Sequence, residues 1–236
     1  MLLFWSEFAA ILTAGFLLLT VPSLAAHVLG NADNELAGTI SLTGLWVLTM
    51  LFFAVVSAGA TRTDGNSRPD VRTFLWSGFA SAKPGLLVAL VIGVVAMIGV
   101  IAITIVQGHM LAGPARVLVI VTLIWLLAIW LPAIPLAVAE RLDPIAALRR
   151  AAALTRDRRG ALAALLIIVF LALLPVANLV NLVVFGPAAT SDRAETMLNA
   201  MSLTDPGLWI YVLFELLGTG LIACIPPVVY KQLTDV

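Results

Sequence analysis

The sequence predicts an all-α integral membrane protein, with six transmembrane helices and two amphipathic helices lying at the cytoplasmic interface. Three observations predict it. Of 236 residues, 62% are hydrophobic and only 11% charged, with a mean hydropathy of +1.11; water-soluble domains carry roughly 45–50% apolar and about 25% charged residues. Six apolar runs reach the roughly 20 residues that a helix needs to cover about 30 Å of hydrocarbon. Those runs do not alternate as the roughly 10-residue strands of a lipid-facing barrel do, and lipid offers no partner to an unpaired backbone group. Thirteen basic residues balance thirteen acidic ones, which argues against a nucleic-acid partner. One cysteine, Cys224, permits neither an internal disulfide nor a cysteine metal cluster.

The first run, Phe8–Leu29, is longer than the roughly 7–15 residues of a signal-peptide core. No Lys or Arg precedes it, and Glu7 stands where a basic start belongs. It is read as a retained crossing despite the small residues of Ser23-Leu24-Ala25. Glu7 is expected at the inner interface, as a helix cap or headgroup contact, with Trp5 in an interfacial belt. The second crossing is Thr39–Ala60, and after it the segment Pro69–Gly85, carrying Val71, Phe74, Leu75, Trp76 and Phe79, is expected to lie in the membrane surface. The third, Leu86–Val106, shares with that segment a stripe of small residues, Gly85, Ala89 and Gly93, that suits close helix contact. The fourth is Val117–Ala139. A second interfacial helix follows, with Asp143 as N-cap, Pro144 at its first position and Gly160 at its end. The fifth and sixth crossings are Ala161–Val184 and Leu208–Tyr230.

Basic residues orient the chain. Arg62, Arg68, Arg72 and Lys83 lie between crossings two and three, and six arginines lie between crossings four and five. With Lys231 these put eleven on one side; only Arg116 and Arg193 fall on the other. Short basic loops stay in the cytoplasm, so both termini are expected inside. The two basic loops also share a plan. Pro69 to Gly85 and Pro144 to Gly160 have the same spacing, and the same shift aligns Leu87 with Leu162, Ala89 with Ala164 and Leu90 with Leu165. Residues 1–236 thus form a single polytopic domain, with a suggested parallel repeat of 42–106 and 117–181.

The run Pro135-Leu-Ala-Val-Ala-Glu140-Arg-Leu-Asp-Pro144-Ile-Ala-Ala-Leu148-Arg149-Arg150-Ala-Ala-Ala-Leu154-Thr155-Arg156-Asp-Arg158-Arg159 resembles the bacterial membrane-protein family related to the membrane domain of glycerophosphoryl diester phosphodiesterases, which includes the YciC-like proteins. Members show a Glu ending a membrane helix, then Ala-Leu-Arg-Arg-Ser-x-x-Leu-Thr-Arg-Gly. They commonly close on a Tyr followed three residues later by Leu, as Tyr230 and Leu233 do here. Ala151 replaces the usual Ser and Asp157 the usual Gly, so neither position inherits a family role. Relatives tend to carry an interfacial helix before the first crossing, which leaves room for a start upstream of Met1. The resemblance implies a bacterial membrane location and little about activity: fused relatives keep their chemistry in a separate barrel of about 250 residues.

Two groups of residues are candidates for function. Arg149, Arg150, Arg156, Arg158 and Arg159 form a basic cluster beside a membrane helix, of the kind that attracts anionic headgroups at about 1 kcal/mol per residue. The same charges also serve to set topology. Glu215 lies inside the last crossing, where an acid is a functional-site hypothesis. Arg116, Asn178 and Asn181 are its candidate partners, and interhelical hydrogen bonding is the structural alternative for the asparagines. Pro22, Pro132, Pro135, Pro175, Pro226 and Pro227 sit in or near the crossings, where they can kink helices and free carbonyls. Trp46, Trp125 and Trp130 are expected to pack or face lipid. His27 and His109 have no neighbouring ligand residues, and the sequence carries no H-E-x-x-H, G-x-S-x-G or G-x-x-x-x-G-K pattern. The function expected is a non-enzymatic inner-membrane protein without a cofactor, touching anionic lipid or serving a protein partner in the envelope. The alternative is a small permease or transporter component with a polar cavity around Glu215.

Overall fold

The computed structural model describes residues 7–29, 35–62, 70–106, 112–186, 197–198 and 201–234. Trp5, Arg68, His109 and Arg193 lie outside the described residues, as do the side chains of His27 and Arg62. The described residues are helical, without strands, and six stretches are long and apolar enough to cross a membrane. The first crossing comprises α1 (Phe8–Gly15), a wide π turn (Phe16–Thr20) and α2 (Val21–Leu29). The second is α3 (Glu35–Arg62), and α4 (Val71–Val106) contains the third. The fourth is broken into α5 (Ala112–Trp130) and α6 (Ala133–Glu140). A short helix α7 (Pro144–Leu154) leads to the fifth crossing, α8 (Arg159–Phe185). The sixth is broken into α9 (Pro206–Ala223) and α10 (Ile225–Thr234).

Proline explains the irregular turns. Its ring clashes with the carbonyl four residues earlier, and the π turn just before Pro22 widens the helix at that place. Pro132 precedes α6, while Pro226 and Pro227 stand in the first turn of α10, where a backbone N–H has no intrahelical acceptor to lose. Pro84 and Pro175, in contrast, are carried inside continuous helices.

The packed core gathers toward the end of the bundle that carries the basic connections. Ala10, Ile11 and Ala14 of α1 meet Phe52, Val55 and Val56 of α3, Phe74 and Ala82 of α4, and Ala223 and Cys224. Beside this cluster, Val88 and Ala89 of α4 pack with Ala133, Leu136 and Ala137 of α6 and with Ala147 and Ala151 of α7. A third cluster joins Ala128, Leu162, Ala163, Leu166 and Val229. Toward the opposite end, large apolar side chains such as Ile105, Leu118, Leu171 and Val183 are exposed, as a lipid-bathed surface requires.

Small residues set the tightest approaches. A Cβ on Gly78 would stand 2.9 Å from the Val55 carbonyl oxygen. One on Gly85 would meet Val138 Cγ2 at 2.8 Å, and one on Gly93 would meet Trp46 Cζ2 at 2.6 Å. The expected stripe of Gly85, Ala89 and Gly93 therefore serves close packing, against α6 on one side and α3 on the other.

Both interfacial segments differ from expectation. Pro69–Gly85 is not a separate helix in the membrane plane: α4 runs unbroken for 36 residues, about 54 Å. Its early part follows α3 because Phe74 and Ala82 are buried in the bundle core, leaving Trp76 and Phe79 exposed. The second segment ends at Leu154, and Gly160 lies inside the first turn of α8 rather than stopping α7. Asp143 does hold the extended N-cap position before Pro144, although its carboxylate makes no capping hydrogen bond.

A basic platform and an apolar cavity as the candidate functional site

At the basic end, the chain passes from α6 to α7 through Arg141, whose φ of 52° is left-handed. Such a backbone is unusual for a residue with a side chain, and nothing in the local sequence announces it. Beyond this turn, α7 places Ala147 and Ala151 inward, fully buried. Its apolar face packs onto α4, α5 and α6. The buried side of the helix therefore rests on protein.

Thr155 completes the attachment. Its fully buried hydroxyl is placed to donate to the Ala151 carbonyl at 2.9 Å and to the Ile129 carbonyl at 3.2 Å. The last four carbonyls of a helix have no intrahelical donor, and Ile129 is among those at the end of α5. One hydroxyl thus ties the exit of α7 to the break in the fourth crossing. Sequence inspection places Thr155 only on the apolar face of α7; the carbonyl it serves is 26 residues away. Backbone bonds from Arg156 to Ala153 and from Arg158 to Thr155 hold the turn that follows.

The five predicted arginines do not share one role. Arg149, Arg156 and Arg158 are exposed, and none has a carboxylate within 4.0 Å among the described residues. Arg150 Nε lies 4.0 Å from Glu140 Oε2, a solvent-exposed pair. Arg159 turns inward: its Nη2 donates to the Ala152 carbonyl at 3.0 Å, and its Nε is buried without a hydrogen-bond partner among the described residues. Arg141, outside the predicted cluster, is exposed beside it in sequence. Six arginines against Glu140, Asp143 and Asp157 leave residues 140–159 with a net charge of +3. The arrangement presents exposed guanidinium groups, on an anchored segment, able to donate bidentate hydrogen bonds to phosphate oxygens.

Glu215, Arg116, Asn178 and Asn181 are not joined by hydrogen bonds or ion pairs among the described residues. Glu215 and Asn178 are exposed, while Arg116 and Asn181 are half-buried. The neighbouring Leu216 takes the inward position, seated where a Cβ on Gly15 would stand. One residue along a helix turns the side chain by about 100°, which carries Glu215 off that face. Glu7 holds the N-cap position of α1 without a side-chain capping bond, and it is buried at 4% exposure instead of reaching outward.

The interior holds a different feature, a cavity of about 240 Å³. Phe53 of α3, Ala96 of α4, Trp130 and Leu131 at the break after α5, Phe170 of α8 and Pro226 of α10 are among its walls. Every lining side chain is apolar, and none of the four residues around the predicted polar site takes part. Both broken crossings meet here, one through Leu131 and the other through Ile225 and Pro226. The prolines predicted an irregularity; the apolar character of the space beside it is a tertiary result. Trp130, expected simply to pack or face lipid, forms part of the wall.

The chain matches no protein-family model, no curated protein and no solved structure. Its function rests on the side chains themselves.

Proposed function

We propose that this chain is a non-enzymatic multi-pass protein of a bacterial cytoplasmic membrane, related to the YciC-like family, with both termini in the cytoplasm. Its basic platform holds anionic lipid headgroups against the cytoplasmic end of the bundle. One observation carries this reading: Arg149, Arg156 and Arg158 are exposed and unpaired among the described residues, on a segment anchored by buried Ala147, Ala151 and Thr155. Anchoring matters because the backbone that carries the cations is already ordered, so binding a headgroup costs the ordering of side chains alone. The platform is in effect a charged shelf fastened to the transmembrane helices. Eleven basic residues on this side against two on the other support a cytoplasmic location. An accessory role follows if the same shelf presents lipid and arginine together to a protein partner.

The test uses the full chain in bilayer discs of mixed phosphatidylcholine and phosphatidylglycerol. After extraction into detergent, the retained lipid is identified by mass spectrometry. Enrichment of phosphatidylglycerol over the bulk ratio is expected. Retention at the bulk ratio would overturn the proposal.

A further inference from the structure

We infer that the apolar cavity is a binding site for one acyl chain of a membrane lipid. Its depth is that of lipid chains. Along the helices, Pro226 stands about 8 Å from Lys231, Phe170 about 16 Å from Arg159 and Ala96 about 20 Å from Lys83. These three basic residues lie toward the platform end, so the cavity occupies the hydrocarbon between that interface and the bilayer centre.

Its chemistry selects the same occupant. The walls carry hydrocarbon, one thioether from Met50 and the indole of Trp130, whose N–H is the one conventional donor among the lining side chains. An apolar cavity of about 150 Å³ stays dry and accepts benzene or xenon; this one is larger, at about 240 Å³. An unfilled space would forfeit dispersion contacts along all its walls. Phe170, a wall residue, is 45% exposed on α8, so this wall of the cavity also borders the surroundings of the bundle. The hydrocarbon outside that wall consists of acyl chains. Residues at both breaks line it, Leu131 in the fourth crossing and Ile225 and Pro226 in the sixth. This inference does not depend on the headgroup proposal, because no arginine lines the cavity.

The protein is tested in phosphatidylethanolamine and phosphatidylglycerol vesicles in which a fraction of the acyl chains carries a photoactivated diazirine. After irradiation, adducts are mapped by peptide mass spectrometry. Ile134 and Leu166 line the cavity and are 7% and 6% exposed, so a chain reaches them by entering. Label is expected on both, as on lipid-facing Ile168, and not on Val88 or Leu136, which are fully buried and do not line the cavity. Ala96→Phe, which fills the space, is expected to abolish label at Ile134 and Leu166 while leaving Ile168 labelled. Label on Ile134 and Leu166 no higher than on Leu136 in the unmodified chain overturns the inference, whatever the variant does. So does undiminished labelling in a folded Ala96→Phe protein. The combined Arg149→Gln, Arg156→Gln, Arg158→Gln protein keeps its cavity labelling, which separates failure of one proposal from failure of the other.

Discussion

Replacing Arg149, Arg156 and Arg158 together by glutamine removes the exposed, unpaired part of the platform and leaves its attachment intact. Each basic residue near an anionic surface contributes about 1 kcal/mol, so the triple variant is expected to lose about 3 kcal/mol, roughly a hundredfold in preference for phosphatidylglycerol at low salt. Arg150 lies 4.0 Å from Glu140, and an exposed pair of this kind is worth roughly 0–1 kcal/mol; Arg150→Gln alone is expected to lose at most about 1 kcal/mol of the preference. Eight of the eleven basic residues on that side remain, so orientation should hold, and protease accessibility of a terminal tag verifies it. The assay titrates phosphatidylglycerol into phosphatidylcholine discs and counts retained lipid per protein at low and near-physiological salt. With a screening length of about 8 Å at 0.15 M, the difference should shrink as salt rises. Unchanged retention in a correctly oriented triple variant would refute the reasoning. An equal effect from Arg150→Gln alone would show that exposure and pairing do not select the working arginines.

Three further substitutions probe the scaffold. Gly78→Ala drives a methyl group to within 2.9 Å of the Val55 backbone carbonyl, which has no flexible end to yield. A loss of about 1–3 kcal/mol is expected, read as a lower thermal midpoint in detergent. Gly44→Ala, with no atom within 4 Å, should leave the midpoint unchanged or raise it, and equal losses at both sites would contradict the close approach of α3 and α4. Thr155→Val keeps the volume but removes the donor to Ile129 and Ala151. A cost of about 1–3 kcal/mol is expected, with Thr155→Ser retaining most of the stability; equal damage from both would assign the effect to packing. Glu215→Gln removes an acid that is exposed within the sixth crossing without an ion pair among the described residues, so the protein is expected to be no less stable and to retain phosphatidylglycerol as before. A large loss would reveal a partner for the carboxylate.

How far the sequence reaches differs between the crossings and the platform. Length and composition suffice for six membrane helices, because covering hydrocarbon with satisfied backbone leaves no other economical answer. The asymmetric arginines suffice to single out the 140–159 connection, and the helical spacing of Leu148, Ala151 and Thr155 against Arg149, Arg150 and Arg156 tells its two faces apart, although Ala147, buried in the structure, is not marked by that spacing. What that apolar face rests on is not in the pattern. Alanine suits lipid and protein equally, and only α4, α5 and α6 arriving beneath it decide for protein. The same ambiguity makes Pro69–Gly85 look interfacial, until Phe74 and Ala82 find a place in the core beside α3.

Inside the bundle the ambiguity is general. A helix that crosses lipid is apolar on the side that packs and on the side that does not. The sequence by itself therefore determined that the chain spans, how often, and which end is basic. Which side of α9 carries Leu216 inward and Glu215 outward, where Thr155 finds its distant carbonyl, and that two proline-marked breaks open on one apolar cavity were decided only by the tertiary structure. Those outcomes depend on shape and on backbone groups left over at helix ends, and hydrophobicity encodes neither.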